Sequence, residues 1–465
     1  MLHLQLLQLE GNIMKNEYMD TPIVYGGSKI NHFITKGVNA KYLKIVGDFP
    51  EIVEIEKKLV DVIDNPIDSP SLKAIIAKNY TKGKSVIILT DDNTRPNIHT
   101  RFLLPILFPK IIEYGVDSSD LHILIACGTH RPPTYEEVEK NILGTEIWNK
   151  YKNHVKIHNC DSGVTQIGTS SRGTPIFLNN LAFESCLIIA MTDSEYHYFA
   201  GLAGTVKQII PGISGRKTIS RNHPKAFSKE TGFKKECRLG NTEGNPVIQD
   251  IKEMVQTLQK TKAVFCIDAI LHEKKIIELN AGDIISIHNL ARDLLAPLRI
   301  IKVEKGADLV IITTGDLGLN LYQAGKGIHA AWNAAKKGGR ILLLAKAQDG
   351  VGNQAYQDTM TAIKGKDLNE SLIWVLANKC SEETFKIGNQ KPVDLLRILK
   401  DNQIDMITEM DHKELKDIFR INGIMITGSV EETLRKYVTN FLKDNKDALI
   451  YIMSDAGIYV LSKES

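Results

Sequence analysis

The chain has 465 residues, with 58 Lys and Arg against 55 Asp and Glu, and a formal net charge of +3 at pH 7. Its length predicts more than one hydrophobic core. The near-neutral balance gives no electrostatic case for nucleic acid or a membrane surface as a partner, and no apolar run reaches the roughly 20 residues that span a bilayer.

The six cysteines include no CxxC pair, which argues against a zinc knuckle or a redox pair. Cys127, Cys186 and Cys266 lie inside apolar runs and are interpreted as small buried hydrophobic residues. This usage predicts a reducing, cytoplasmic location. Residues 1–18 are interpreted as a disordered tail or a mis-called start.

In chain order, short apolar runs repeatedly end in polar or glycine-rich residues. They are SVIILT (85–90), LHILIAC (121–127), CLIIAMT (186–192), DLVIITT (308–314) and RILLLA (340–345). Runs without polar alternation are typical of strands buried on both faces. Helical patterns at 98–115 and 327–339 lie between them, and this alternation predicts parallel α/β units.

Two further segments, 164–179 and 263–279, have polar turns and predict hairpins that add antiparallel strands. The predicted fold is therefore α/β with two domains, each a mostly parallel sheet flanked by helices, the larger N-terminal domain carrying the antiparallel additions. We expect a catalytic and cofactor-binding domain at 1–297 and a second α/β domain at 298–430. The segment 431–465 is expected to return to the N-terminal domain.

Ligands of such sheets bind beyond the carboxyl ends of the strands, and two polar motifs begin there: DDNTRP at 91–96 and GTHRPPT at 128–134. Arg95 can donate two parallel hydrogen bonds to a carboxylate or phosphate, and Asp92 can accept from ribose hydroxyls. His130 suits general acid/base work. The alternatives are a capped turn before the next helix and a structural or exposed loop histidine.

The segment EYHYFAGLAGTVKQIIPG, at 195–212, carries a lysine among small and apolar residues. Gly201 and Gly204 allow another element or a ligand to approach the backbone. If Lys207 is buried, it becomes a nucleophile or an attachment point; the alternative is a lysine extending to solvent from a helix. His223, which precedes a proline, can be a metal ligand through a neutral ring nitrogen.

No nucleotide-binding fingerprint is found. GDLGLNLYQAGKG at 315–327 does not match GxGxxG, and GISGRKT at 212–218 lacks the GxxxxGK[ST] spacing. Within the first of these segments, Gln323 and Lys326 share a helix face and can bind a carboxylate together.

Taken together, the ordered motifs resemble the lactate racemase family, the nickel-pincer enzymes called LarA and its homologues. The matching set is DDNTRP, GTHRPPT, His197, GTVKQIIPG, His223 and YQAGK. Each motif alone is weak, but their order is specific. So are the gaps of ten residues from His197 to Lys207 and sixteen from Lys207 to His223.

The resemblance implies a racemase or epimerase that inverts C2 of a 2-hydroxy acid, lactate or a larger analogue, by proton-coupled hydride transfer. The implied cofactor is a nickel-pincer nucleotide, the mononucleotide of pyridinium-3,5-bisthiocarboxylic acid with nickel, attached covalently at Lys207. It also implies cofactor-biosynthesis enzymes as partners, with no nucleic acid and no membrane; an oligomer is left open.

Residue roles are implied in the same way: His130 and His197 as acid/base groups, His223 as nickel ligand, Asp92, Thr94 and Arg95 as cofactor contacts, and Arg95, Tyr322, Gln323 and Lys326 as substrate contacts. Removing hydride avoids forming a carbanion at a poorly acidic C2, and each configuration needs its own base. Cations hold the carboxylate while the centre inverts. Sulfur from the cofactor and one imidazole suit nickel.

Three alternatives stay open. A nicotinamide-dependent oxidoreductase of hydroxy acids predicts a GxGxxG motif, and none is convincing. A non-catalytic binding protein predicts replacement of Lys207 or His223, and both are present. A sugar-acid epimerase of the same family differs only in substrate, which pocket residues outside the motifs decide.

Overall fold

Short runs of Val, Ile and Leu form the centres of two six-stranded sheets. The computed structural model describes residues 18–463, without the side chains at 316 and 317. These residues form two compact units. Unit 1 comprises 18–46, 227–233 and 299–463, and unit 2 comprises 47–226 and 234–298. Of the predicted N-terminal tail, residues 1–18, positions 1–17 lie outside the described residues, and Tyr18 forms an antiparallel bridge with Thr35.

The described strands are β1 Ile23–Tyr25, β2 Ser28–Ile30, β3 Ala40–Leu43, β4 Val86–Asp91, β5 Leu121–Ala126, β6 Val155–Ile157, β7 Val164–Thr169, β8 Pro175–Asn179, β9 Leu187–Asp193, β10 Glu195–His197, β11 Gly201–Ala203, β12 Phe227–Ser228, β13 Gly232–Phe233, β14 Ala263–His272, β15 Lys275–Gly282, β16 Ile300–Val303, β17 Ala307–Thr313, β18 Ala335–Leu344, β19 Gln403–Ile407, β20 Asn422–Ile424, β21 Ile450–Met453 and β22 Tyr459–Ser462.

The described α-helices are α1 Ile55–Asp64, α2 Leu72–Asn79, α3 Ile98–Glu113, α4 Tyr135–Glu137, α5 Thr145–Tyr151, α6 Asn180–Glu184, α7 Val206–Ile209, α8 Arg216–Asn222, α9 Pro246–Gln259, α10 Ile284–Arg299, α11 Leu321–Ala334, α12 Gln354–Ala362, α13 Leu368–Lys379, α14 Gln390–Asp401, α15 His412–Glu414 and α16 Val430–Asp444.

In unit 2 the strand order is β15-β14-β9-β4-β5-β6. Every neighbouring pair is parallel except β14 and β15, which are antiparallel. All seven residues of β9 and the first five of β4 are buried, as expected for strands covered on both faces. Each fully buried Ile or Leu contributes roughly 1.5–3 kcal/mol, so this apolar core holds the strand ends in register.

In unit 1 the order is β20-β19-β18-β17-β21-β3, and all neighbours are parallel. The predicted α/β class, with antiparallel additions in the larger N-terminal part, is thus confirmed. One detail differs: β7 and β8 form a separate two-stranded sheet, whereas β15 alone extends the main sheet of unit 2 as an antiparallel edge.

The predicted return of 431–465 to the N-terminal domain is wrong. Strand β21 lies between β17 and β3, and β22 pairs with β16, all within unit 1. The IYIM sequence of β21 is fully buried, so it is an inner strand of that sheet. The expected continuous domain 1–297 is wrong for the same reason, since β3 brings 18–46 into unit 1.

Across residues 18–463, every helix is too short or too polar to cross a lipid bilayer.

The position of β21 predicts a large effect of shortening one of its side chains. Ile452 is fully buried and faces Ile311 of β17 and Tyr42 of β3 across the sheet. We expect Ile452→Ala to lower the free energy of unfolding by about 2–5 kcal/mol, measured by urea titration. Ile373→Ala is the matched control, because that isoleucine is 65% exposed, and it should change stability by less than about 0.5 kcal/mol. Equal effects of the two changes would contradict the assigned strand order.

Candidate active site

The polar motifs of unit 2 follow three adjacent parallel strands. Since β9, β4 and β5 are neighbours and run in the same direction, their carboxyl ends lie along one edge of the sheet, where α/β proteins bind ligands. The loop after β5 is also bonded to the segment that follows Lys207: the amide of Gly128 donates to the carbonyl of Gly212 at 2.8 Å. Sequence motifs separated by more than 80 residues are thus brought together.

Asp92 and His130 form a hydrogen-bonded pair at this edge. His130 Nδ1 lies 2.6 Å from Asp92 Oδ2, while Asp92 Oδ1 accepts from the amide and the hydroxyl of Thr94, at 3.0 and 2.5 Å. Burial alone raises the pKa of Asp92, but the charge and hydrogen bond of His130, with the bonds from Thr94, outweigh it and lower the pKa. Asp92 is therefore a carboxylate, and it holds the proton on Nδ1 of His130.

Arg95 lies among carboxylates. Its Nη1 is 3.7 Å from Oε2 of Glu195 on β10. Burial lowers the pKa of Arg95, but the charges of Glu195, Asp193, Asp91 and Asp92 exceed this effect and raise it. The guanidinium is thus permanently charged, and its contact with Glu195 is too long to occupy its donors fully.

The loop that presents Arg95 is held by Asn97. The Asn97 side chain donates to the carbonyls of Asp92 and Arg95, at 2.7 and 2.9 Å, and its backbone is left-handed, with φ of 53°. No side-chain capping bond of the predicted kind is made by Asn97 at the start of α3. The motif is a turn before a helix, as the structural alternative proposed, and it also displays Asp92 and Arg95.

His197 ends β10, in a hairpin with β11 where it faces Gly201. Its Nδ1 accepts from the amide of Ala200 at 3.2 Å, so the neutral ring carries its proton on Nε2. Gly201 has φ of +81°, and a Cβ there would lie 2.2 Å from the carbonyl oxygen of Asn241. Only glycine fits this turn, which explains why a small residue follows the histidine so closely.

His223 lies near His197, and the ring of Phe199 contacts both. The centroid of Phe199 is 4.7 Å from that of His197 and 5.3 Å from that of His223, with edge-on geometry. Burial, followed by the charge of Lys207, lowers the pKa of His223 to about 3. A neutral imidazole is the form that binds a metal.

A buried network fixes the ring orientation of His223. Its Nδ1 is 3.2 Å from Oδ1 of Asn222. The Asn222 amide nitrogen donates to Asp250 and to the carbonyl of Val247, at 2.9 and 3.0 Å. The remaining bonds to the Asp250 carboxylate come from the hydroxyls of Ser170 and Thr174, at 2.6 and 2.7 Å. Because Asn222 must present its oxygen to His223, Nδ1 of the neutral His223 ring carries the proton.

Lys207 is half-buried in the single turn of α7. Burial is the main cause that lowers the pKa of both His223 and His288, and the positive charge of Lys207 adds to the effect at both rings, so the Lys207 side chain lies close enough to act on them. The preceding Thr205 has the unusual φ of +45°, and its hydroxyl is 2.6 Å from His288 Nδ1. A surface lysine extending to solvent does not account for this environment.

The turn at Thr205 is connected to Asp268 by hydrogen bonds. The Thr205 amide donates to the hydroxyl of Thr192 at 3.2 Å, and that hydroxyl donates to Oδ1 of Asp268, as does Ser194 at 2.9 Å. Burial is the main cause that raises the pKa of Asp268 to about 8, although the bonds from Thr192 and Ser194 lower it. At neutral pH the group is therefore largely a carboxylic acid.

The other predicted substrate contacts lie in unit 1. Tyr322, Gln323 and Lys326 are half-buried residues in the first two turns of α11. The Tyr322 hydroxyl accepts from the side chain of Gln390 at 2.9 Å, and burial raises the pKa of Tyr322 to about 12. These three residues lie on one helix of unit 1. The other predicted site residues lie in unit 2.

Several polar residues of the site were not predicted from the sequence. They are His99, Asp193, Glu195, Asn222, Asp250, Asp268 and His288. Asp193 stands at the end of CLIIAMT and Glu195 just beyond, so the strand-end rule could have found them. The others lie inside helical or apolar runs, where a polar residue gives no local signal.

The fold and the site define an α/β protein with a polar site at its strand ends, where His130 is paired with Asp92 and the neutral His223 lies close to Lys207. Residues 25–233 match the family described as lactate racemase N-terminal domain, and residues 302–461 match the lactate racemase C-terminal domain. The chain belongs to the lactate racemase family. It is accordingly an isomerase of the racemase type.

Relatives support this membership. A lactate racemase from Lactiplantibacillus plantarum is 33% identical over 313 residues, 66% of this chain and 69% of that protein. A lactate racemase from Thermoanaerobacterium thermosaccharolyticum is 29% identical over 361 residues, 77% and 80% of the two chains.

Two solved structures are similar to the whole fold. The lactate racemase apoprotein of T. thermosaccharolyticum superposes with a TM-score of 0.77 at 26% identity, covering 95% of this chain and all of that one. A Thermotoga maritima protein, 17% identical, has a TM-score of 0.63 and covers 91% of this chain and 100% of its own; it shares the fold.

The raised pKa of Asp268 predicts a pH-dependent stability. An unfolded aspartate ionises near pH 3.9, whereas Asp268 in the folded chain ionises at about 8. The folded state therefore binds the extra proton, and its stability falls as pH rises between these values. Asp268→Asn, a neutral isostere, should gain stability relative to wild type over this range and level off above about pH 8.

Urea unfolding at several pH values between about 5 and 9 measures the difference. The exposed Asp61→Asn is the control and should show no such trend. A pH-independent difference for Asp268→Asn would contradict the assignment of a protonated carboxyl.

Proposed function

We propose that the protein inverts the configuration at C2 of a 2-hydroxy acid, with His130 and His197 as the acid/base pair. The opposite proton arrangement of the two rings carries the proposal. Nδ1 of His130 donates to Asp92, whereas Nδ1 of His197 accepts from the amide of Ala200. His130 thus offers a lone pair at Nε2 and His197 offers an N–H, as assigned from their partners. A reaction that takes a proton from one enantiomer and returns a proton to the other needs both a proton acceptor and a proton donor.

We further propose that Lys207 and His223 hold a nickel-pincer nucleotide. Support comes from the donor set: His223 is half-buried and neutral, its Nδ1 is bonded to Asn222, and the charge of Lys207 acts on its ring. A tether and a single imidazole ligand are thus close together. When bound, this cofactor supplies the hydride acceptor and donor for C2 and the sulfur ligands that nickel prefers.

The protein's own groups then perform the proton transfers and the positioning. His130 accepts the hydroxyl proton of the substrate at Nε2, and the Asp92 carboxylate stabilises the resulting imidazolium. Arg95 binds the substrate carboxylate, which competes with the long contact to Glu195. His197 donates an Nε2 proton from its imidazolium form when the hydroxyl forms again with the opposite configuration; in that form Nδ1 is also protonated and gives up the contact with the Ala200 amide. Reversal of the two roles gives the opposite direction.

Tyr322, Gln323 and Lys326 are proposed as further substrate contacts, and Asp92, Thr94 and Arg95 as cofactor contacts. The grouping of the first three on one helix supports a joint role, because a lysine and an amide at this spacing can bind one carboxylate. Enzymes that build the pincer are proposed partners; no nucleic acid or membrane partner is proposed.

Lactate is the first substrate to test, because both curated relatives carry that name. Larger 2-hydroxy acids and sugar acids are the alternatives within the same chemistry. A nicotinamide-dependent oxidoreductase is the alternative of another class, and it would require added NAD or NADP for turnover.

Activity of the full chain produced with nickel and the cofactor-building enzymes tests the proposal. We expect interconversion of D- and L-enantiomers of at least one acid in a 2-hydroxy acid panel, without added nicotinamide. In deuterium oxide the product should retain the substrate's C2 hydrogen, because hydride transfer does not exchange it with solvent. His130→Ala and His197→Ala should each lower the rate by about 10²–10⁴-fold.

His272→Ala is the control, because this histidine lies at the end of β14 and contacts Phe49; its rate should equal that of wild type. A loaded preparation that racemises none of the acids would refute the proposed activity. Full exchange of C2 with deuterium would refute hydride transfer while leaving racemisation intact.

The network behind His223 predicts a change in nickel retention. Asn222→Ala removes the acceptor that fixes the ring and leaves Asp250 with one bond fewer, so we expect about 10–100-fold weaker nickel binding. Nickel per chain after a chelator challenge, measured by mass spectrometry, reports this without any activity assay. Asn180→Ala is the control, because Asn180 is also a half-buried asparagine but does not contact His223 in the described structure. Unchanged retention in a folded Asn222→Ala protein would show that the ring needs no such support.

A further inference from the structure

A second polar cluster adjoins the site and has no part in the proton transfers. It consists of Asp91 at the end of β4, Asp193 at the end of β9, His99 in the first turn of α3, and Gln208 in α7. Each has a buried atom without a hydrogen-bond partner in the described structure: Asp91 Oδ2, both oxygens of Asp193, His99 Nδ1 and Gln208 Oε1. Buried polar atoms are nearly always satisfied, so this concentration indicates a bound ion or water.

The distances from His99 to the two carboxylates suit ligands of one ion better than hydrogen bonds. His99 Nε2 is 3.4 Å from Asp91 Oδ2, and His99 Nδ1 is 4.0 Å from Asp193 Oδ2. One ligand atom from each of the three residues lies within 4.8 Å of the others. Atoms bound to one cation at about 2.0–2.2 Å are separated by roughly 3–4.4 Å.

The side chain of Gln208 is independent evidence for a cation in this cluster. Its side chain is 3% exposed, and its amide nitrogen is anchored by the carbonyl of Met191 at 2.7 Å and lies 3.4 Å from Asp91 Oδ1. The amide oxygen is left buried beside the carboxylates without a donor. An oxygen placed this way is a natural ligand of a cation.

The balance of charge around Arg95 is a further reason to expect a bound cation in this cluster. Four carboxylates surround Arg95, and two of them have nearer partners: Asp92 has His130 at 2.6 Å, and Glu195 has Arg95 itself. Asp91 and Asp193 have His99 at 3.4 and 4.0 Å, but burial lowers the pKa of His99, so its ring is neutral and supplies no balancing charge. Burial, and next the charge of Asp193, raise the pKa of Asp91 well above its usual value, because two adjacent buried carboxylates are unfavourable without positive charge between them.

We propose that Asp91, Asp193 and His99, with Gln208 as a fourth ligand, bind a divalent cation of the Zn²⁺ or Mn²⁺ type. Oxygen and imidazole ligands without a thiolate suit these ions, and His99 can bind as a neutral ring, because burial lowers its pKa. The ion joins the ends of β4 and β9 to the start of α3. Through Gln208 it also holds the turn that carries Lys207. It is separate from the proposed nickel cofactor.

Metal uptake by the full chain produced without the cofactor-building enzymes tests this proposal separately from the proposed racemisation. After removal of metal with a chelator, the protein is dialysed against Zn²⁺ or Mn²⁺, gel-filtered and analysed by mass spectrometry. We expect one ion retained per chain and, at about 100-fold excess over the Kd, a rise of roughly 5–10 °C in Tm. His99→Gln and Asp193→Asn should each weaken binding by at least about tenfold.

Two variants show where the ion binds. His272→Gln, outside the cluster, should keep full uptake, and so should His223→Ala, since His223 is the other candidate ligand. Uptake that is lost in His223→Ala but kept in His99→Gln overturns the proposal. The wild-type measurement decides the question even if a cluster variant fails to fold: a chain that retains neither ion would mean that Asp91 and Asp193 share a proton instead.

Discussion

The burial of β9, β4 and β5 on both faces is the constraint from which the site of unit 2 follows. Strands this apolar are stable only between layers of helices, and helical crossovers make them parallel. Parallel strands end at the same edge, and the first residues beyond them must meet solvent or a ligand. Asp91, Asp193 and the loop of His130 lie at this edge because each directly follows or ends a strand that is buried in the core.

Crowding of charge at that edge sets the properties of the individual groups. Four carboxylates act on Arg95, and a fifth, Asp268, interacts with one of them, Asp193. Asp92 is ionised because His130 and Thr94 donate to it, and Asp268 remains protonated because burial exceeds the effect of its two hydroxyl donors. The same side chain is thus an anion at one position and a neutral acid at another.

Three histidines obtain different roles from what their Nδ1 atoms contact. A carboxylate at Nδ1 leaves His130 with a lone pair at Nε2, a backbone amide leaves His197 with a proton there, and the Asn222 oxygen accepts the Nδ1 proton of the neutral His223 ring. The proton arrangement of each ring therefore depends on the residue beside its Nδ1 atom.

Local patterns in the amino-acid order were sufficient for the α/β class, the buried strands and the position of Asp92 and His130 just beyond two of those strands, because apolar periodicity and strand-end polarity are properties of short segments. They were insufficient for the placement of β3 and β21, since parallel pairing joins segments about 400 residues apart. They also missed His99 and the Asn222–Asp250 network, whose meaning lies in contacts rather than in neighbouring residues. Folding decides which polar atoms lose water together, and only that decides their protonation and the ligands they can bind.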